Sequence, residues 1–176
     1  MSRGLRSVLR IACAVVVPFF AVLGAALGQD ILIVSFTPPL AWATASPDFM
    51  SDHPGMLGAW YAPVTGSSGF RQNINVFRFA APQGVALADI VGNSVRAMQN
   101  SSNIVFIKHG LNARCARSSQ IVSEEYSSNG VNMFIEQVMT IADGRLFVAT
   151  YTREQGELRS PEAERAVEAM CPLSSA

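Results

Sequence analysis

In the second half of the chain, polar and apolar positions alternate as β-strands require. The alternation runs through residues 133–141 and again through residues 146–151. Asp143-Gly144 separates the two runs, and Ser128-Asn129-Gly130 precedes the first. Both are typical hairpin turns, because Gly, Asn and Asp accept the positive φ that tight turns need. Together with the strand-like residues 117–127, the pattern predicts a meander of three antiparallel strands.

Two other stretches have apolar residues at the three- and four-residue spacing of a helix. The first predicts an amphipathic helix over residues 86–99. The second begins at Ser160-Pro161-Glu162, where Ser can cap, Pro suits the first turn and Glu complements the helix dipole. Pro172 is expected to end it. The apolar positions are Leu87, Ile90, Val91, Val95 and Met98 in the first helix, and Ala163, Ala166, Val167 and Met170 in the second.

Three more apolar runs predict strands, over residues 57–64, 73–79 and 104–107. Residues 46–55 show no period and are expected to form an irregular lead. The predicted order is strand, strand, helix, four strands, helix. Consecutive strands with helices to pack on them indicate an α+β domain around an antiparallel sheet.

The first 45 residues are typical of an export signal that is removed. Arg3, Arg6 and Arg10 precede the apolar run 11–28, and Ala43-Thr44-Ala45 offers small residues at the −3 and −1 positions. We therefore expect a signal peptide over 1–45 and one domain over 46–176. The alternatives are a cut near Gly28, and an uncleaved membrane anchor over residues 11–28, whose length approaches that of a membrane span.

Export predicts a periplasmic or secreted bacterial protein. Residues 46–176 carry two more acidic than basic residues, and the arginines are scattered. A nucleic-acid partner is excluded, because it requires a basic patch. Contact with a membrane is expected only if the N-terminal segment stays uncleaved.

Two cysteines, Cys115 and Cys171, follow the predicted signal. An even number of cysteines in an exported domain favours a disulfide, with two free buried thiols as the alternative. Because Cys171 ends the last helix and Cys115 precedes the meander, the bond would link that helix to the sheet.

Several short motifs resemble the PsbP-like fold group. Residues Phe70-Arg71-Gln72-Asn73-Ile74-Asn75-Val76 look like its Phe-x-x-Asn-Ile-x-Val strand. Gln137, Asp143-Gly144-Arg145 and residues 148–152 resemble its final hairpin, and residues 163–171 resemble its closing helix. The resemblance implies an α/β/α sandwich. It implies no activity, because the group shares a fold and not a function.

Candidate catalytic residues are few. His53 and His109 are the only histidines, and neither has a metal-ligand spacing. Glu124, Glu125 and Glu136 lie on neighbouring predicted strands, but adjacent strand residues point to opposite faces. A solvated sheet face is the favoured interpretation of these acids. No nucleophile elbow or phosphate-binding loop occurs, so we expect no enzyme activity, cofactor or metal.

Trp60, Tyr61 and Arg78 are the candidate ligand-binding residues. One of the two adjacent aromatic residues must point away from the other, so one is free to line a groove. An anion-binding cluster of Arg71, Arg78, Arg114 and Arg117 is a further possibility. The sequence thus favours an exported, non-catalytic binding or assembly-accessory module with an unidentified protein or small ligand. The alternative is a small periplasmic hydrolase or metal-binding protein.

Overall fold

A seven-stranded antiparallel sheet carries the fold, and two short strands form a second sheet. The structure is a computed structural model that describes residues 34–66, 68–100, 103–115, 119–128 and 130–173. The strands are β1 (Val34–Ser35), β2 (Ala43–Thr44), β3 (Met56–Tyr61), β4 (Asn73–Ala80), β5 (Ile104–Leu111), β6 (Ser119–Ser128), β7 (Val131–Ala142), β8 (Arg145–Glu154) and β9 (Cys171–Pro172). The helices are α1 (Pro47–Ser51), α2 (Leu87–Gln99) and α3 (Pro161–Glu168), with a 3-10 turn at Ala113–Cys115.

The large sheet has the order β2-β3-β4-β8-β7-β6-β5. Strands β6, β7 and β8 form the predicted meander, and β8 then pairs with β4. The turn between β7 and β8 has positive φ at Asp143 (48°) and Gly144 (66°), as an Asp-Gly hairpin requires. The α+β class is confirmed. Membership of the PsbP-like group stays a prediction.

The sheet has two buried faces. On the α3 face, helix α3 covers a core that contains Ile74, Val138, Ala149 and Tyr151. On the opposite face, here called the α2 face, helix α2 packs against β5, β6 and β7. Its partners there alternate with the residues of the α3 face and are buried: Val122, Tyr126, Ile135 and Met139. Each face therefore needs its own helix to keep its apolar side chains from water.

The expectation of an irregular lead over residues 46–55 is wrong in part. Pro47–Ser51 forms helix α1, which Ser46 caps because its Oγ accepts from the Phe49 N–H at 3.2 Å. Pro47 at the first helical position suits this start. The capping signal was therefore present, but the segment is too short to show a helical period.

Residues 34–45, which were assigned to the predicted signal, contribute two strands to the fold. β1 pairs with β9, and β2 pairs with β3 at one edge of the large sheet. The described residues from Val34 onward belong to one compact unit. Residues 1–33, which hold the basic and apolar parts of the predicted signal, lie outside the described residues.

The predicted disulfide is confirmed. Cys115 and Cys171 are bonded, with their Cα atoms 5.3 Å apart. Cys115 ends the 3-10 turn before β6, and Cys171 begins β9 just after α3. The bond therefore links the end of α3 to the head of the meander, as the positions of the two cysteines implied.

Candidate functional site

An open groove of about 480 Å³ lies between residues 35–41 and helix α3. Its helix side is formed by Glu162, Arg165, Ala166 and Ala169. Its other side is mostly apolar, and the side chain of Leu40 there is fully exposed. A groove of this volume is in the size range of small-molecule sites.

The extended wall of the groove is fixed at its first residues. The Ser35 hydroxyl donates to the carbonyl of Ala169 at 2.7 Å and accepts from the Cys171 N–H at 3.3 Å. Val34, one residue earlier, is only 2% exposed and belongs to the core under α3. Further along, Pro38 and Pro39 have fixed φ angles, and the Trp42 N–H donates to the Pro39 carbonyl at 3.1 Å and closes a turn there. The wall is therefore preformed.

The floor of the groove is apolar because α3 presents small residues there. Ala166 is buried and Ala169 follows the last helical residue, so residues 35–41 approach the helix closely. The two charged side chains, Glu162 and Arg165, are exposed at the rim. Within the described part of the chain, neither of these two side chains forms an ion pair. The groove thus combines an apolar floor with one free cation and one free anion.

Trp60 lies behind the groove and does not line it. Its ring centroid is 5.1 Å from that of Phe36, which does line the groove. The indole lies over Gly58, where a Cβ would come within 2.3 Å of the ring. Gly58 therefore lets the indole lie flat on β3, and the indole in turn supports Phe36.

Tyr61 and Arg78 occupy other places. Tyr61 points to the α2 face, as alternation requires, and lies 6.3 Å from the Phe49 ring and 5.7 Å from the Arg71 guanidinium. Arg78 is paired in register with Phe147 on the α3 face, several residues along β4 from the partner of Trp60. The structure does not bring Trp60, Tyr61 and Arg78 together at one surface.

Two of the four arginines proposed as an anion site contact separate partners. Arg71 donates two N–H groups to the carbonyl of Ala62, and Arg114 forms an ion pair with Glu168. Arg117 lies outside the described residues. The described arginines therefore show no common anion site.

The histidines lie toward opposite edges of the sheet. His53 Nδ1 is 2.7 Å from the Phe49 carbonyl oxygen and its ring contacts that of Phe49, before β3. His109 is exposed on β5, the far edge strand. In the described ranges, no three His, Cys, Asp or Glu side chains are close enough together to hold a metal ion.

The expectation of a solvated acidic face is wrong for two glutamates. Glu124 is fully buried on the α2 face opposite Ile135, and burial raises its pKa to about 7. Glu136 is 8% exposed on the α3 face. Burial first, and then the charges of Glu168 and Glu164, raise the pKa of Glu136 to about 7 against the opposing charges of Arg159 and Arg153. The two carboxyls are on opposite faces, so they do not form a pair, and neither lines the groove.

A row of buried polar side chains also crosses the α2 face. It runs over β4, β8 and β7 and is partly hydrogen-bonded: Asn75 Nδ2 donates to Asn73 Oδ1 at 3.1 Å, and Gln137 Nε2 donates to Thr150 Oγ1 at 3.4 Å. The Oε1 atom of Gln137 and the Oγ1 atom of Thr152 are buried without a partner in the described structure. Buried polar atoms that lack a protein partner usually bind an ordered water molecule.

Sequence reasoning missed the groove because it assigned one wall to a discarded signal. The sequence did contain one indication against this assignment. Gln29-Asp30 interrupts the apolar run, and the residues after it include aromatic residues and prolines, whereas the core of a signal peptide is uniformly apolar. Phe36 and Trp42 were therefore the residues to notice.

None of the helices among the described residues is both long and apolar enough to cross a membrane.

No protein-family model matches the chain, and no curated protein sequence matches it. Among solved structures, it is similar to the crystal structure of LpqN, described as involved in cell envelope biogenesis of Mycobacterium tuberculosis. The sequence identity is 13%, the TM-score is 0.49, and the match covers 77% of this chain and 79% of LpqN. It also matches human STARD10 at 6% identity and a TM-score of 0.35, over 72% of this chain and 65% of that one. We draw no conclusion on ligand or role from likenesses of this size.

Proposed function

We propose that this protein is an exported binding module without catalytic activity, and that its groove holds the apolar part of a small amphipathic ligand. The observation that carries the proposal is the open groove of about 480 Å³ with its apolar walls. Leu40 is fully exposed in the free protein. Complete burial of its side chain by a ligand would contribute roughly 1.5–3 kcal/mol to the free energy of binding.

The ligand class follows from the rim. An aliphatic chain suits the apolar floor, and an anionic head group suits Arg165, whose guanidinium has no acidic partner in the described structure. Glu162, one turn earlier on α3, disfavours a head group with several negative charges. A ligand with a chain and one acidic group, such as a long-chain carboxylate, fits both features.

The absence of catalysis is supported by where the unusual acids lie. The glutamates whose pKa is raised, Glu124, Glu136 and Glu154, are not among the residues that line the groove. A general acid or base must reach the bound substrate within hydrogen-bonding distance. Their positions therefore favour binding over chemistry.

Fluorescence titration with dansylamino-undecanoic acid tests the proposal. We expect saturable binding that Leu40→Asp weakens by about tenfold or more, because a charge then enters the apolar wall. Leu158→Asp is the matched control, because Leu158 is 91% exposed and lies outside the groove. Arg165→Gln should weaken binding of the acid and leave binding of the corresponding alcohol unchanged. Equal losses in the Leu40 and Leu158 variants, or no saturable binding, would contradict the groove assignment.

The non-catalytic part has its own test. The purified protein is incubated with ester and amide substrates, and its metal content is measured. Turnover that persists through repurification and is lost in Glu136→Gln or His53→Ala would contradict the proposal and favour a small hydrolase. Stoichiometric metal would favour the metal-binding alternative.

A further inference from the structure

We infer that residues 34–45 belong to the mature protein, so that the mature chain begins upstream of Val34 and the peptide bond between Ala45 and Ser46 stays intact. The inference does not depend on what the groove binds. It rests on how this segment is built into the fold.

The first residues of the segment complete the core under α3. Val34 is 2% exposed within the cluster that contains Val167 and Met170. β1 pairs with β9, where Ser35 is in register with Cys171 of the disulfide. Removing the segment would leave this core open and would take away β1, the strand that pairs with β9 among the described residues.

The middle of the segment covers aromatic residues of the large sheet. Phe36 lies against Trp60, and the ring centroid of Trp42 is 6.2 Å from that of Tyr151. Tyr151 is a fully buried, central residue of β8. A chain that starts at Ser46 would lack Phe36 and Trp42 and would therefore expose Trp60 and Tyr151.

The proposed cleavage site is itself structured. Ala43–Thr44 is paired with Trp60 and Tyr61 as β2, and the Ala45 N–H donates to the Ala59 carbonyl at 2.8 Å. Ala45 is only 8% exposed. A peptidase must bind these residues in extended form in its own cleft, so pairing in β2 competes with cleavage.

The sequence offers an upstream site that preserves the segment. Ala26-Leu27-Gly28 also places small residues at the −3 and −1 positions. Hydrolysis of the bond between Gly28 and Gln29 consumes one water and leaves a carboxylate on Gly28 and an amino group on Gln29. Residues 34–45 then remain in the mature chain.

Intact mass of the exported protein, expressed from its full chain with a C-terminal tag, locates the start of the mature chain. A start at Gln29, or anywhere else upstream of Val34 including Met1, supports the inference. A start at Ser46, or at any residue from 35 to 45, overturns it.

Two pairs of substitutions separate the alternatives further. Ala43→Arg blocks the −3 position of the downstream site at an exposed residue, and Ala26→Arg blocks that of the upstream site. We expect precursor to accumulate at least several-fold only with Ala26→Arg; accumulation only with Ala43→Arg overturns the inference.

The second pair uses stability as the measurement. Val34→Asp should lower the melting temperature or the yield of the exported protein, whereas Thr37→Asp, at an exposed neighbour, should not. If the segment were discarded with the signal, both variants would give a mature protein identical to the parent. Identical melting temperatures and masses for parent and Val34→Asp therefore overturn the inference even if other variants fold poorly.

Discussion

The two helices that cover the sheet are held in place by different means. α2 has 13 residues, presents Ile90, Val91, Val95 and Met98 to its face, and has no side-chain cap at its start. α3 has 8 residues, buries only Ala163, Ala166 and Val167, and is capped by Ser160. Large apolar side chains hold α2, because each contributes roughly 1.5–3 kcal/mol when fully buried.

Among the described residues, the end of α3 is fixed by a disulfide and polar contacts that have no counterpart at α2. The disulfide follows it directly, Asn112 Nδ2 donates to the carbonyl of Glu168 at 2.7 Å, and Arg114 forms an ion pair with the Glu168 side chain. Of the three small residues that α3 buries, Ala166 also lines the floor of the groove. The difference teaches that a helix can present a smooth binding surface if covalent and polar contacts replace the packing it gives up.

Removal of the disulfide should have the largest effect on this comparison. In the double variant Cys115→Ser with Cys171→Ser, we expect the free energy of unfolding to fall by about 4 kcal/mol, since the bond closes a loop with a sequence separation of 56. Hydrogen exchange of the native protein should then speed up in α3 and β9 more than in α2. Urea denaturation and exchange mass spectrometry measure the two effects. Equal loss of protection in both helices would show that α3 does not depend on the bond.

The buried acid under α2 should give the next largest effect. The carboxyl of Glu124 has its pKa raised from 4.5 to about 7 by burial. Between pH 4.5 and about 7, the folded protein keeps a proton on Glu124 that the unfolded chain has already released. The free energy of unfolding is therefore highest below pH 4.5 and falls as the pH rises to about 7. The loss is about 3 kcal/mol at 1.36 kcal/mol per unit of pKa. Glu124→Gln should remove this part of the pH dependence and be more stable than the parent at pH above about 7.

Glu125→Gln is the matched control, because Glu125 is the next residue, points to the opposite face and is half-exposed. Urea denaturation at several pH values compares the three proteins. A parent whose stability does not fall over this pH range, or a Glu125 variant that matches the Glu124 variant, would contradict burial as the cause.

The acid under α3 should give an effect of similar size. Burial and the charges of Glu168 and Glu164 raise the pKa of Glu136 to about 7 against the opposing charges of Arg159 and Arg153. This net pKa sets the pH dependence, so Glu136→Gln should remove a loss of stability between pH 4.5 and about 7 much like that of Glu124→Gln. The same denaturation series measures the effect. A Glu136 variant that is no more stable than the parent above neutral pH would contradict the raised pKa.

The helix caps should give the smallest effects, of opposite sign. Ser160→Ala removes the acceptor of the Ala163 N–H and should cost about 1 kcal/mol. Ala86→Asp places an acceptor at the uncapped, extended start of α2 and should add a similar amount. Thermal unfolding of both variants checks this. If Ala86→Asp has no effect, the start of α2 is already satisfied by water.

Much of the fold follows from local sequence signals. The helical spacing from Leu87 to Met98 and the Asp143-Gly144 turn specify their elements without help from distant residues. The disulfide followed from the number of cysteines and the expected compartment. Alternation along β3 also predicted that Trp60 and Tyr61 point to opposite faces, as they do.

The groove was missed because one wall depends on a distant partner. β1 pairs with β9, which lies more than 130 residues away along the chain. Each of these strands has only two residues, too few to show the alternation of apolar and polar positions that predicts a strand. The burial of Glu124 was missed for a different reason. A charged residue on an alternating strand is normally placed in solvent, and only the tertiary structure shows that α2 covers this position.

The position of β8 has a consequence for how the chain folds. β8 is among the last strands to be synthesised, yet it lies between β4 and β7 and joins the two halves of the sheet. Until it emerges, β4 presents an unpaired hydrogen-bonding edge with apolar side chains on both sides, which is prone to pair with other chains. The native contacts between β4 and β8 are long in sequence separation, and such topologies fold slowly. Chains that stall before residue 145 should therefore aggregate, whereas chains that stall after β8 should not.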